Sequence, residues 1–599
     1  MKWMSLHSAG FAIWLRFVLL LIVMLLVRED VRVPGKHAPT APAAPATTST
    51  PQLTASKPLP PQRLSINDAD AARFLAQATF GPTLEDIAHL RQVGYWQWFD
   101  EQVAMPPSYQ VKYLDAMGPD AVYNAMRESR MEAWFLHALG GQDPFDPAVV
   151  HRDQLRQRVA FALSEIFVVS DQADAIGNAP YGLTSYYDLL ARNAFGNYRQ
   201  LLEDVTLHPV MGLYLSALGN QKPDPARNIR PDENYAREVL QLFSVGLVRL
   251  NNDGTPMRDT AGRPLPTYDQ YTVKGFAHVF TGFTFNGCAA LDEFQDCYFY
   301  DFAHPAWRTP MEAQPGYHSP EAKQLLDYPG VSLPGGLLGA GGTPQGDLKA
   351  ALDNIFRHPN VGPFIGRQLI QRLVTSNPSP VYVSRVAAAF NNNGAGVRGD
   401  MKAVVKAILL DPEARVASAQ PPNFGKVREP ILRLTHTWRA LNARTQTGRM
   451  SEHYPEYYLA QAPLRAPSVF NFFSPNYRPS GELSELGLAA PELQLATDYM
   501  LPKTHNAYGD EVFWYYIGNP ETGPNDINVD LGRDMPLAAT PAALLDRYNL
   551  MFMSGQMSPR MRQVLLDRLN EIPNTNSGRE RVQEALYLIV NSPEYTVQK

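Results

Sequence analysis

The stretch Pro231–Gly246, PDENYAREVLQLFSVG, constrains this chain more than any other. It reads as one helix marked at both ends. Asp232 is placed to cap the start, Pro231 cannot extend it backwards, and Gly246 suits the left-handed closing position. At three- and four-residue steps Asn234, Arg237, Glu238 and Gln241 share one face, while Tyr235, Val239, Leu242 and Phe243 share the other. A solvated helix face usually mixes lysine and glutamate. An amide, a guanidinium, a carboxylate and a second amide in succession can instead fix one another by directed hydrogen bonds. Two readings follow. The stripe is a buried Arg–Glu network that locks helices together, or it is the polar wall of a pocket. In the second reading Glu238 is an acid or base, Arg237 its electrostatic partner, and Asn234 and Gln241 binding groups.

The remaining pattern predicts a mainly α protein: a large, multi-lobed, multi-helix fold with one small inserted β-hairpin and long irregular loops. Helical spacing is clear in Thr83-capped and post-Gly94 segments, in His151–Ser170, and in four successive segments between Leu348 and Leu410. Leu247–Leu250 followed by Asn252-Asp253-Gly254, with a second turn at Ala261-Gly262, predicts the hairpin. Pro491–His505 is expected to be one helix. VVKAILLDPEAR (Val404–Arg415) echoes ALYLIVNSPEYT (Ala585–Thr596), aligning Pro412 with Pro593 and Glu413 with Glu594. The echo suggests two helical lobes, residues 63–420 with the 231–246 helix and residues 421–599.

Ahead of the folded region, Phe17–Val27 is an unbroken apolar run behind Lys2 and Arg16, so residues 1–30 read as a signal anchor or a signal peptide. Residues 31–62 form a Pro-, Ala- and Thr-rich linker that cannot bury a core and extends as a spacer. Anchor and spacer together place the folded part at the periplasmic or extracellular face of a bacterial envelope, with membrane contact through the N-terminal segment. In that oxidising setting Cys288 and Cys297, the only two cysteines, are expected to pair; two unpaired thiols are the alternative. A net charge of −6 without a basic stripe argues against a nucleic-acid partner.

No nucleophile elbow, zinc-protease pair, phosphate loop or complete calcium loop occurs, and no cofactor or metal set is specified. Gly287–Gly346 is long and aperiodic, the mark of a functional or capping loop. It holds His304, His318 and Lys323, read either as helpers from a covering loop (His318 catalytic, Lys323 binding) or as surface-loop residues. His208 and His358 precede prolines or helix starts and are expected to satisfy local hydrogen bonds. Phe470–Phe473 and Phe513-Trp514-Tyr515-Tyr516 could stack on sugar rings or pack in the core.

The DENYAREVLQLFSVGL helix, with TYDQYTVKGFAHVFTGFTF, YHSPEAKQLL, LDNIFRHPNVGPFIGRQLIQRLV, AILLDPEAR and LYLIVNSPEY in this order, resembles the domain-of-unknown-function 1800 family from Asp68 to Val597. The resemblance implies no reaction. It does imply a partner, a sulfatase-like envelope protein of the domain-of-unknown-function 1501 family. It also implies a His-Asp and a Lys in the long loop, where this chain has His318-Ser319 and Lys323. Two functions follow as expectations: an exported scaffold or binding partner, or a periplasmic hydrolase of a cell-envelope polymer using Glu238.

Overall fold

Prolines and small capping residues cut the chain into short helices. The computed structural model describes residues 66–288 and 304–599, and among them it shows 25 α-helices and only three two-stranded antiparallel sheets. The protein is mainly α, as its periodicity predicts. Thr83 and Asp86 close a capping box at the start of Leu84–Ala104, which kinks at Gly94, where the sequence predicts a second helix. The four expected helices after the long loop are Pro344–Arg357, Val361–Leu373, Pro380–Asn391 and Met401–Leu409.

The stripe helix is shorter than its capping residues suggest, Asn234–Gln241, with turns carrying the chain on to Gly246. Asp232 does accept the Asn234 N–H, at 2.8 Å. Gly246 takes φ 70°, and its N–H and that of Val245 both reach the Leu240 carbonyl, at 2.9 and 3.0 Å. A Cβ on Gly246 would also meet the Phe364 ring at 2.7 Å, so this closing position also brings Val361–Leu373 into close contact.

Three expectations need correction. His151–Ser170 is helical only over Gln154–Ser164. Beyond it the carbonyls leave the helix for distant donors: Arg372 binds Glu165 O and Tyr186 binds Phe167 O, both at 2.7 Å. Pro491–His505 splits into a 3-10 turn, Pro491–Leu495, and a helix, Met500–Phe513, because the Thr497 hydroxyl restarts the chain by accepting the Met500 N–H. The hairpin after Gly246 is present as isolated bridges (Val248 with Pro266, Leu250 with Pro256, Arg258 with Pro264) and not as strands. Prolines in these pairs lack the N–H a ladder needs.

The internal echo corresponds to a repeated device. Glu413 accepts the Ser379 N–H at 3.0 Å and also its hydroxyl, and Ser379 caps Pro380–Asn391. Glu594 accepts the Ser558 N–H at 2.8 Å and its hydroxyl at 2.5 Å, and Ser558 caps Pro559–Glu571. Each Pro-Glu turn thus clamps the start of a preceding helix.

Arg63–Lys599 holds together as one compact unit around a continuous apolar core. Buried bonds cross residue 420, among them Arg439 Nε to Gly81 O and Arg130 Nη1 to Pro463 O, both 2.7 Å. A separate small cluster of Val168, Ala466, Phe472, Phe473 and Leu495 supports the segment that walls the main cavity. Residues 1–62 lie outside the described residues. So does Cys297, and with it the expected bridge to the buried Cys288. Among the described residues no helix is long and apolar enough to cross a membrane.

Candidate functional site

The stripe does not stay together. Arg237 turns outward to Glu233, at 3.0 Å, and to Gln270, at 3.3 Å, instead of pairing with Glu238. Asn234 is exposed. Glu238 points the other way and is 7% exposed, its Oε2 lacking a hydrogen-bond partner among the described residues. Burial raises its pKa, with Arg237 opposing. Tyr214 and Tyr268 lie near enough to feel its charge, and burial with that charge pushes both up to about 12. Gln241, at the end of the helix, lines a large cavity. Consecutive residues on a helix diverge by about 100°, so a broad polar stripe is split among surface, core and cavity.

The loop residues are not at the surface, which corrects that reading of His318 and Lys323. Lys323 is 0% exposed, and its ammonium meets Asp347 Oδ2 at 2.7 Å, Ser319 O at 2.8 Å and Glu321 O at 2.9 Å. His318 is also buried and reaches the same Asp347 oxygen at 3.1 Å, with Nδ1 2.9 Å from Thr281 O. An ammonium has three protons, and all three are used. The cluster therefore fixes the short strand Lys323–Gln324, which pairs with Leu337–Leu338, against the helices Gln270–Val279 and Pro344–Arg357. Gly275 makes that seam possible, since a Cβ there would fall 1.8 Å from Gln324 O. His304, His208 and His358 each accept an N–H two residues on, those of Ala306, Val210 and Asn360. Burial first, with a nearby arginine, lowers His208 to about 3 and His358 to about 4, so both remain neutral acceptors. Among the described residues no group of three or more histidine, cysteine or acidic side chains is placed to hold a metal.

The cavity that Gln241 reaches has a volume of about 580 Å³, the size of a small-ligand site. One wall is the Gly246–Leu250 segment with Gly254 and Pro256 of the following turn. A second is one face of Val361–Leu373, where Phe364, Gln368, Gln371 and Arg372 recur at helical spacing with Arg367 beside them. The third is Val469–Asn476, from the aromatic run noted in the sequence. Phe472 and Phe473 of that run pack inward, whereas Phe470 is 55% exposed at the cavity. Among the described residues, two amides facing this space have polar atoms without a hydrogen-bond partner. Asn471 is 7% exposed and neither its Oδ1 nor its Nδ2 is bonded; Gln368 is 8% exposed with Nε2 unbonded. Such groups are costly without a partner and mark a place where a ligand supplies one.

At the floor stands Glu165, brought there by the early end of Gln154–Ser164. It adjoins a buried network of Arg158, Arg372, Lys426, Glu429 and Glu492. Arg158 Nη2 and Lys426 Nζ both donate to Arg372 O, at 2.7 and 2.9 Å, near the negative end of Val361–Leu373. Lys426 also meets Glu492 at 3.1 Å and Glu429 at 3.4 Å, and Gln461 donates to Glu429 at 2.7 Å. Burial and then the Glu429 charge hold the Glu165 carboxyl well above the carboxylate range. Burial opposes ionisation of Glu429 too, but Lys426 and Arg158 outweigh it and keep its pKa low. The two shifts run in opposite directions, so a proton is held more tightly on Glu165 than on Glu429. Arg372 Nε lies 3.6 Å from Glu165 Oε2, too far for a hydrogen bond.

A second cavity of about 420 Å³ is lined by Trp438, Tyr457, Tyr458 and Tyr515 with Glu452, Asp510, Glu511 and Asp526. Burial raises Glu511 well above its usual range even though Trp438 Nε1 donates to it at 2.6 Å. Sequence reasoning missed Glu165, Arg372, Gln368 and Glu511. The only sequence signal for Arg372 and Gln368 was helical spacing on Val361–Leu373, equivalent to that of the stripe helix, and Glu165 was hidden in a segment read as continuous helix. The two aromatic runs were better markers: one reaches each cavity, through Phe470 and Tyr515.

No curated protein and no solved structure matches this chain. The family model described as "Protein of unknown function (DUF1800)" matches residues 73–597, nearly all of the described chain, and the protein belongs to that family.

Proposed function

We propose that this protein is an exported envelope protein, tethered or released at its N-terminus, that works as a binding scaffold and docks with a sulfatase-like envelope partner. The anchor and spacer pattern of residues 1–62 supports the location. The observation that carries the binding role is Asn471: a buried amide at a large cavity with both polar atoms unbonded. Gln241, Gln368 and Gln371 line the same cavity beside apolar surface, and such amides bind and orient a ligand. The test is equilibrium binding of solubilised envelope polymer fragments to the full chain in detergent. Asn471→Ala should weaken the best fragment about tenfold, the loss of one or two buried hydrogen bonds. Equal binding by both forms would remove the cavity from the reading.

A second reading, hydrolysis of an envelope polymer with Glu238 as the acid, draws on one observation: the buried Glu238 carboxyl with its raised pKa and unbonded Oε2. Release of new polymer ends by the native chain, lost in Glu238→Gln, would support it. Release that persists in Glu238→Gln would exclude Glu238.

A further inference from the structure

The charges around the main cavity are unbalanced. In the buried network behind its floor, of which Arg372 and Glu165 line the cavity, three cations, Arg158, Arg372 and Lys426, face three carboxyls, and burial with the Glu429 charge disfavours ionisation of Glu165. That leaves three positive charges against at most two negative ones. Nearer the opening, Arg367 lines the cavity with a single polar contact, 3.4 Å to Asn476 Oδ1, and no carboxylate pairs with it among the described residues. Burial and then the charge of Arg478 lower its pKa. Arg478 is exposed and likewise has no carboxylate partner among the described residues. Two neighbouring guanidiniums without an anion repel each other, and a ligand anion bridging them would relieve this.

The uncharged lining narrows the ligand further. Gln241, Gln368 and Asn471 each offer a donor and an acceptor on one planar group, which complements hydroxyls that both donate and accept. Phe470 presents an open ring face beside them. A peptide added as a strand along this wall would need a free strand edge. None is offered by Val248–Leu250. Arg249 N–H is bonded to Leu265 O at 2.8 Å, Leu250 N–H to Asn360 Oδ1 at 2.9 Å, and Val248 O accepts from Asn360 Nδ2 at 2.7 Å.

We propose that the cavity selects an acidic saccharide, its carboxylate held between Arg367 and Arg478 and its hydroxyls by Gln241, Gln368 and Asn471. This inference rests on the binding role proposed above and names the class of ligand.

The test uses the full chain in detergent, titrated calorimetrically with tri-galacturonate, with its fully methyl-esterified trimer, and with a tripeptide bearing a free C-terminal carboxylate. Tri-galacturonate should bind, more weakly as salt is raised, and the ester about tenfold more weakly than the acid, one charge-assisted contact being at stake. Arg367→Gln and the exposed Arg478→Gln should each cut acid binding about tenfold and leave the ester unchanged. Because Arg478 is at the surface, its variant reads out even if Arg367→Gln fails to fold. Equal binding of acid and ester, or equal loss of both in Arg478→Gln, overturns the acidic class while Asn471→Ala sensitivity preserves the binding role. Binding of the tripeptide in preference to both sugars overturns the saccharide class. If neither sugar nor peptide binds, and Asn471→Ala leaves polymer-fragment binding unchanged, the binding role fails together with this inference.

Discussion

Two buried polar clusters in this protein look alike by residue type and differ in completeness. Around Asp347, Lys323 and His318 spend their hydrogen-bonding capacity on protein partners, and nothing is left over. Around Glu165, the Glu165 Oε2 and the nearby Gln368 Nε2, Arg158 Nη1 and Glu492 Oε2 lack hydrogen bonds among the described residues, and the cluster borders a cavity through Glu165 and Gln368. A lysine, a histidine and an aspartate suggest chemistry from composition alone, yet here they act as a clamp. The cluster with open valences is the one that can engage something from outside.

The sharpest way to break this comparison is to remove one member of the closed cluster. Lys323→Met leaves Asp347 buried with only the histidine beside it, and should cost about 3–5 kcal/mol in denaturant unfolding. Ligand binding at the main cavity should be unchanged in the folded fraction. A cost below about 1 kcal/mol would mean that the lysine is not a structural tie.

The same reasoning separates what the sequence discloses from what it conceals. Helices, their caps and the closing Gly246 depend on local chemistry, and Asp232, Thr83 and Gly246 act where local rules place them. The His151–Ser170 error has a non-local cause. Arg372 captures the Glu165 carbonyl across 207 residues, and no local pattern records that competition. The stripe at 234–241 was visible as four polar residues on one face. Which of them would be outside, buried or at a cavity depended on Glu233, Gln270, Tyr214 and Tyr268, contributed from other positions. Lys323 and His318 were singled out, but Asp347, the acid that joins them, lies 24 residues beyond Lys323 and carries no motif.

Within the open cluster, the two glutamates should respond unequally. Glu429 is the ionised member, so Glu429→Gln strips a charge from Lys426 and Arg158 and should cost about 1–3 kcal/mol. The loss is less than for Lys323→Met, because Lys426 retains Glu492 and because Glu165, freed from the Glu429 charge, can ionise in its place. A cost as large as that of Lys323→Met would show that Glu165 does not take over, and that the two carboxyls do not share a proton.

Glu165→Gln should have the smallest effect, within about 1 kcal/mol at pH 5, since an amide replaces a carboxyl that is already neutral. Its signature is in the pH dependence. The folded pKa of Glu165 lies above its unfolded value, so the folded chain binds this proton more tightly. The native protein should therefore lose stability as pH rises from the unfolded glutamate pKa towards the raised folded one, by up to about 1.4 kcal/mol per pH unit from this group. Glu429 contributes with the opposite sign, its stabilisation being lost as pH falls through its lowered pKa, and because Glu165 is one of the groups that lowers it, the difference between the two proteins reports the pair and not Glu165 alone. The stability of Glu165→Gln relative to native should thus climb as pH rises above the unfolded glutamate pKa towards the raised folded one. A flat difference would place a full negative charge on Glu165 and restore the charge balance of the network behind the cavity, leaving the anion site to rest on Arg367 and the nearby Arg478.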